Sequence, residues 1–284
     1  MCKNTTKINR GFTLIELLVV IAIIALLLAI LGPSLGAAQD KVEEVVCRSN
    51  MKQWAMVYAL YANNNNDSFP QSIVSPQSPG VNAEDAYFLG ALLPYYEDLN
   101  LRDCPSTRSR NLAPGNPDSY QNMGGTFIKW GPFLASPNGN RWWDSYAEGS
   151  YGFNDWVADP PPGHDTYWGI PSDQAVRTTY AEGAYMIPMI YDAVWIDTAP
   201  KMSDYAPSNE ENETDTYTAT WNNNSMKWFC IDRHGGGINS AFVDGDVRHV
   251  GIKELWLLKW HMKWVKTEPP NAWPSWTDKY KDYD

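Results

Sequence analysis

Residues 17–31 read LLVVIAIIALLLAIL, without one polar side chain. As a helix this run is apolar on every side, so it cannot lie on the surface of a soluble domain with one face in water. A membrane-spanning helix needs about 20 mostly apolar residues at about 1.5 Å each, and residues 12–31 supply that length with one acid, Glu16, included. Lys3, Lys7 and Arg10 precede the run, no acid accompanies them, and the next cation is Lys41. The positive-inside rule therefore places the short amino-terminal tail in the cytoplasm and the rest of the chain across the membrane. A removable secretory signal fits less well, because the run exceeds a usual h-region and Gly36-Ala37-Ala38 is a weak cleavage site. Glu16 asks for a reason of its own. A charge one turn into a hydrocarbon helix costs about 2.5 to 3.5 kcal/mol on insertion scales, so it needs a partner or a function.

Composition narrows what lies beyond the membrane. The chain has 284 residues, 22 Lys+Arg against 33 Asp+Glu and 14 Trp; it is too aromatic for a disordered chain, and its acidity disfavours a nucleic-acid binder. Four cysteines without a CxxC pair argue against a disulfide scaffold or a zinc ribbon.

Gly32-Pro33 predicts a kink or a melted turn, since proline lacks the backbone donor. Helix-forming sequence resumes at Ala37, and Cys47, Met51, Trp54, Tyr58 and Tyr61 form one apolar stripe suited to packing on a globular head. A single helix from Phe12 to Ala62 would measure about 75 Å, with the Asn63-Asn64-Asn65-Asn66-Asp67 run ending it. From Ser68 onward Gly, Pro, Asn and Trp dominate and loops are expected. A short helix is predicted over 87–96. Strands are predicted over 185–193, with Pro188 demoting it to an edge or a bulge, and over 227–232. Residues 238–250 read as a β-hairpin around Asp244-Gly245, a dipeptide suited to a type I′ turn. Residues 253–266 read as an amphipathic helix, with Leu255, Leu258, Met262 and Val265 on one face. No internal repeat is visible. The fold class is α+β: a long amino-terminal helix, half in the membrane and half packed on the head, against a small antiparallel sheet with loop-rich insertions.

The stretch Lys7-Ile8-Asn9-Arg10-Gly11-Phe12-Thr13-Leu14-Ile15-Glu16-Leu17-Leu18-Val19-Val20-Ile21 resembles the class III signal of type IV prepilins and type II secretion pseudopilins. The resemblance implies that a membrane peptidase cuts after Gly11 and N-methylates Phe12. It also implies that the new α-amino group of one subunit pairs with Glu16 of its neighbour, two charges that are costly alone in lipid and cheaper together. Loss of the three leader cations takes the formal charge from -11 to -14. The organisation is then a prepilin leader over 1–11, a transmembrane and assembly helix over 12–35, the exported half of the stem over 36–63, and a head over 64–284.

A second resemblance covers the head. Cys47-Arg48-Ser49-Asn50-Met51-Lys52-Gln53, Tyr61-Ala62-Asn63, Phe69-Pro70, Cys104-Pro105-Ser106, Ser150-Tyr151-Gly152-Phe153-Asn154 and His234 with Asp244-Gly245 follow in order. This is similar to the pseudopilin-like proteins with a carboxy-terminal His-X9-Asp-Gly motif (residues 234–245 here), related to the G-type (major) pseudopilin of type II secretion. That family commonly continues Asp-Gly-His, whereas this chain has Asp246 there and its histidine at His249.

The mature chain keeps Cys47, Cys104 and Cys230. In an oxidising compartment two should pair, and Cys47 with Cys104 is the expected disulfide, stapling the stem to the head for about 3 to 5 kcal/mol. The other reading is three buried thiols. Asp232, His234, Asp244 and Asp246 form the candidate metal set; with carboxylates in the majority calcium is the natural ion, and the related G-type pseudopilins carry a calcium loop. Against it stands a structural reading, in which Asp244 caps its own turn and His234 bonds a strand carbonyl or an aspartate. No GxSxG, no nucleophile with a partnered histidine and no phosphate loop is present; the Arg233-His234-Gly235-Gly236-Gly237 stretch lacks the lysine and context of a P-loop. His164 and His261 read as surface or packing residues. Exposed indoles stack on sugars, and Trp142, Trp143, Trp156 and Trp168 lie in loop-rich sequence, but core packing accounts for most tryptophans, Trp256, Trp260 and Trp264 among them.

The expected function is structural, without enzymatic activity and without a cofactor, calcium being the alternative: a subunit processed by prepilin peptidase and polymerised into a type II secretion pseudopilus or a type IV pilus-like filament. The implied partners are other pilin or pseudopilin subunits, the prepilin peptidase, the secretion or pilus assembly machinery and the membrane, with no nucleic acid. The implied location is a single pass through the inner membrane with the head in the periplasm or outside, and the filament or cell surface after assembly. The competing class is a membrane-tethered module that never polymerises and binds a surface glycan or a secreted substrate.

Overall fold

The computed structural model describes residues 13–71, 88–109, 123–134, 146–160, 171–207, 224–265, 269 and 272–283. The chain divides into two units, Met1–Val42 and Glu43–Asp284. Helix α1 (Leu14–Asn64) contributes to both.

In the first unit α1 exposes its apolar side chains on every side: Leu17 is 50% exposed, Leu18 63%, Leu28 63% and Leu31 58%. No face is covered within the subunit, the pattern of a helix made for lipid or for neighbouring apolar helices. It is the one helix among the described residues long and apolar enough to cross a membrane. No melted turn forms at Gly32-Pro33; the helical run continues through both residues. One missing donor is tolerable inside a long helix, and Ser34 Oγ donates to the Leu31 carbonyl (2.9 Å) in the same turn.

In the second unit the stripe read from the sequence is buried. Cys47, Met51, Trp54 and Tyr58 are at most 3% exposed, and Tyr61 is half-buried. Trp54 meets the rings of Tyr96 (4.7 Å) and Phe153 (5.3 Å) and donates its Nε1–H to the Leu101 carbonyl (2.8 Å). Each such side chain contributes about 1.5 to 3 kcal/mol by leaving water. The asparagine run ends α1 as expected. Asn66 and Asp67 adopt φ of 55° and 60°, and the N–H groups of Asn65 and Asp67 both donate to the Ala62 carbonyl.

After a short helix α2 (Phe88–Leu92), strands β1 (Trp130–Leu134) and β2 (Tyr146–Gly149) form a two-stranded sheet. The main sheet contains β3 (Tyr151–Asn154), β4 (Pro188–Asp192), β5 (Asp197–Thr198), β6 (Gly237–Phe242) and β7 (Val247–Gly251) in the order β5-β3-β4-β6-β7. All its pairs are antiparallel except β3 with β5. A long helix followed by a small, mostly antiparallel sheet is the α+β arrangement expected.

Four local readings are corrected. Strand β4 is central, not an edge, and of the two readings of Pro188 the bulge holds: the proline sits at the first residue of β4, where the register with β6 shifts and no ladder donor is needed. The hairpin forms, but only Gly245 has positive φ (86°), so its connection is a three-residue loop closed by Gly245 N–H to Phe242 O (2.8 Å), not a type I′ turn. Residues 227–232 are not a strand: a 3-10 turn, Ser225–Trp228, leads into irregular chain. The helix predicted over 253–266 shrinks to a 3-10 segment, Lys253–Leu257. Leu255, Trp256, Leu258, Trp260 and Trp264 are all buried, which one helical face cannot achieve. The extended chain instead gives its donors to other segments, Lys259 N–H to Met186 O (2.9 Å) and Met262 N–H to Gln174 O (3.0 Å).

Candidate functional site

Gly11 and Phe12 lie outside the described residues. Glu16 does not. Its carboxylate accepts from the backbone N–H and the hydroxyl of Thr13 (both 2.8 Å), while Glu16 N–H donates to Thr13 Oγ1 (3.3 Å). This is a capping box: within one subunit the acid satisfies a donor at the helix start.

The second unit holds a different constellation. Cys47 from α1, Cys104 just beyond the 3-10 turn Leu99–Arg102, Asp192 at the end of β4 and His234 ahead of β6 converge, with one polar atom of each within 4.8 Å of the others. Cys47 Sγ donates to Asp192 (3.6 Å), His234 Nε2 lies 3.2 Å from Asp192 Oδ2, and Cys104 Sγ lies 3.4 Å from the same Nε2. His234 is delivered by a tight loop. Both Arg233 and His234 donate N–H to Gly237 O, with Gly235 and Gly236 at φ of 67° and 106°. The glycine run is thus a turn device and not a phosphate cradle.

Arg233 anchors the cluster from behind. Its guanidinium, wholly buried, donates to Asp192 Oδ1 (3.0 Å) and to the carbonyls of Thr126, Ser150, Gly125 and Ala193. Burial pushes the Asp192 carboxyl up, but the charges of His234 and Arg233 and the Asn239 N–H (2.8 Å) outweigh it and hold the group at about 2. Burial lowers His234, and Asp192 more than reverses this, raising it to about 10. Cys104 is raised by burial, yet its hydrogen bonds with Cys47 and His234 and the charge of Arg233 bring it down to about 6. Burial drives Cys47 well up.

A thiol beside an imidazole beside a carboxylate has the parts of a nucleophilic site but not its geometry. Asp192 and Cys104 both address Nε2, whereas an acid that orients a base holds the opposite ring nitrogen. Cys47 and Cys104 are also at 0% exposure, with no approach for a substrate.

The expected disulfide is corrected at the level of the bond. Cys47, Cys104 and Cys230 are all free and buried. Cys47 and Cys104 lie in the same cluster without a bond between the sulfurs, Cys47 also facing Asp192 and Cys104 also facing His234. The candidate calcium set takes the form of the structural reading, with Asp244 capping its own turn and His234 facing an aspartate. Asp232 accepts from Gly236 N–H (2.7 Å) and Tyr280 OH (2.9 Å), and Asp244 accepts from Asp246 N–H (3.0 Å) across its own turn. Only His234 of that set joins the buried cluster, so these carboxylates do not fit a cation site. Asp192 and Arg233 were not singled out from the sequence. An acid closing the apolar run 188–192 and an arginine inside KWFCIDRH were the signals, since such charges are rarely buried without each other.

Trp142, Trp143, Trp168 and His164 lie outside the described residues. Trp156, Trp256, Trp260 and Trp264 are buried, and Trp156 Nε1–H donates to Pro200 O (2.7 Å), so these four form no sugar platform. His261 is buried between Trp156 and Trp264, as a packing residue.

Residues 6–32 match the prokaryotic N-terminal methylation motif. The chain is 44% identical over 57 residues to the type IV wide pilus major component PilA4 of Thermus thermophilus. The amino-terminal segment is type IV pilin-like. The similarity to PilA4 covers 20% of this chain and 44% of that protein, so the two are alike over less than half of the relative's length. No solved structure matches the chain. Neither match speaks for the His-X9-Asp-Gly resemblance of the head.

Proposed function

We propose that this chain is a structural filament subunit, a substrate of prepilin peptidase and not itself an enzyme. The peptidase cuts between Gly11 and Phe12 and methylates the new α-amino group of Phe12. The single-pass stem holds the head on the outer side of the inner membrane until the subunit joins a type IV pilus-like filament or a type II secretion pseudopilus. The observation that carries this reading is the methylation motif running directly into a helix whose apolar side chains are about half exposed or more on every side. Lipid covers that surface before assembly and neighbouring stems cover it afterwards, while Glu16 sets axial register by meeting the ammonium of an adjacent subunit.

Intact-mass spectrometry of the protein from cells that contain a prepilin peptidase tests the proposal. The expected mass lacks residues 1–11 and carries one added methyl group. A chain that keeps Met1 in those cells overturns it.

A further inference from the structure

We propose that Cys47, Cys104, Asp192 and His234 form a structural zinc site inside the head. The site goes beyond the filament reading and does not depend on it. Its ligands come from separate parts of the chain, with contacts 145 and 130 residues apart in sequence, so only the folded head assembles it.

The four ligand atoms lie within 4.8 Å of one another, a spacing that suits a tetrahedral centre. With zinc–sulfur bonds of about 2.3 Å and zinc–nitrogen or zinc–oxygen bonds of about 2.0 to 2.1 Å, the edges between neighbouring ligands are about 3.3 to 3.8 Å. Taking Asp192 Oδ2 as the ligand oxygen, the observed edges are 3.2 Å for His234 to Asp192, 3.4 Å for Cys104 to His234 and 3.8 Å for Cys47 to Asp192. Two sulfurs, an imidazole nitrogen and a carboxylate oxygen fall within zinc's ligand range, whereas calcium takes oxygen alone.

Charge and surroundings agree. Coordination requires both cysteines as thiolates, His234 neutral at Nε2 and Asp192 ionised, so the thiol protons and any Nε2 proton leave to solvent as the ion enters. Two thiolates and a carboxylate then face the doubly charged ion and the Arg233 guanidinium, and the buried assembly is neutral. Arg233 and the Asn239 N–H already orient the Asp192 carboxylate, as outer partners orient metal ligands. All four ligands are at most 7% exposed, so the coordination sphere is closed, as in structural and not catalytic zinc sites. The ion would clamp α1 to β4 and to the loop before β6, taking the place of the disulfide read from the sequence.

The test uses the full chain in detergent. Elemental analysis of protein purified without reductant or chelator should find one zinc per chain, and Cys47→Ser and Cys104→Ser should each lose it. Because either variant risks misfolding, the wild-type protein is also stripped, reduced and reconstituted with cobalt(II). The expected spectrum has the intense d–d bands of tetrahedral cobalt and a thiolate charge-transfer band, and metal should protect Cys47 and Cys104 from alkylation. Folded, reduced protein that takes up neither ion overturns the proposal. So does bound metal without thiolate charge transfer, or native protein in which Cys47 and Cys104 are recovered as a metal-free disulfide.

Discussion

Arg233 shows how much a single residue holds in this head. Its buried guanidinium faces one carboxylate and four carbonyls, so removing it takes a donor from each of those carbonyls and leaves the buried Asp192 with His234, the Asn239 N–H and the Cys47 thiol. Arg233→Met is expected to destabilise the head by about 3 to 5 kcal/mol, read as a lower urea midpoint by tryptophan fluorescence. Arg233→Lys should rescue little, because an ammonium cannot reproduce the planar fork. His261 makes a separate prediction about pH. Burial, with Lys259 and Lys263 adding to it, lowers its pKa to about 4, and the neutral ring accepts from Lys263 N–H at Nδ1 (3.2 Å). The unfolded chain binds that proton near pH 6.5. Its contribution to stability is therefore complete above about pH 6.5 and is lost as the pH falls toward 4. His261→Phe keeps a ring between Trp156 and Trp264. Denaturation curves at several pH values should show the wild type losing stability relative to this variant over that window.

At the scale of elements, the hairpin and the stem each allow a sharp comparison. A Cβ on Gly237 would lie 2.0 Å from the Val250 carbonyl oxygen, within the β6–β7 ladder itself, whereas a Cβ on Gly245 would meet nothing within 4 Å and suffers only its φ of 86°. Gly245→Ala should cost about 1 kcal/mol and Gly237→Ala distinctly more, measured by the same urea unfolding. In the stem, Glu16 serves both as helix cap and as the proposed partner of an ammonium. Glutamine also closes a capping box but carries no charge. Glu16→Gln is therefore expected to leave helix content and leader processing intact while abolishing filaments, scored by circular dichroism, intact mass and electron microscopy of sheared fractions. Filaments at wild-type levels would favour a tether that never polymerises. The carboxy-terminal segment teaches the opposite lesson about elements. Its spacing of Leu255, Leu258, Met262 and Val265 reads as one helical face, yet Val265 is exposed while Trp256, Trp260 and Trp264 are buried.

For the molecule as a whole, the division at Val42 separates an apolar helix from a head with its own aromatic core. A chain beginning at Glu43 is expected to be soluble and folded without detergent, with a cooperative thermal transition. Size-exclusion chromatography and calorimetry check this, and aggregation of that fragment would contradict it. The stem, its acid, the buried stripe of α1 and the hairpin were legible in the sequence, because each rests on local periodicity, local charge or a dipeptide's backbone preference. Residues 17–31 alone determined that this chain must meet lipid or neighbouring apolar helices. The central place of β4, the irregular course of residues 258–265 and the meeting of Cys47, Cys104, Asp192 and His234 were decided by tertiary structure. They depend on which distant segments supply hydrogen bonds, burial and opposite charge, and no spacing along the chain encodes that.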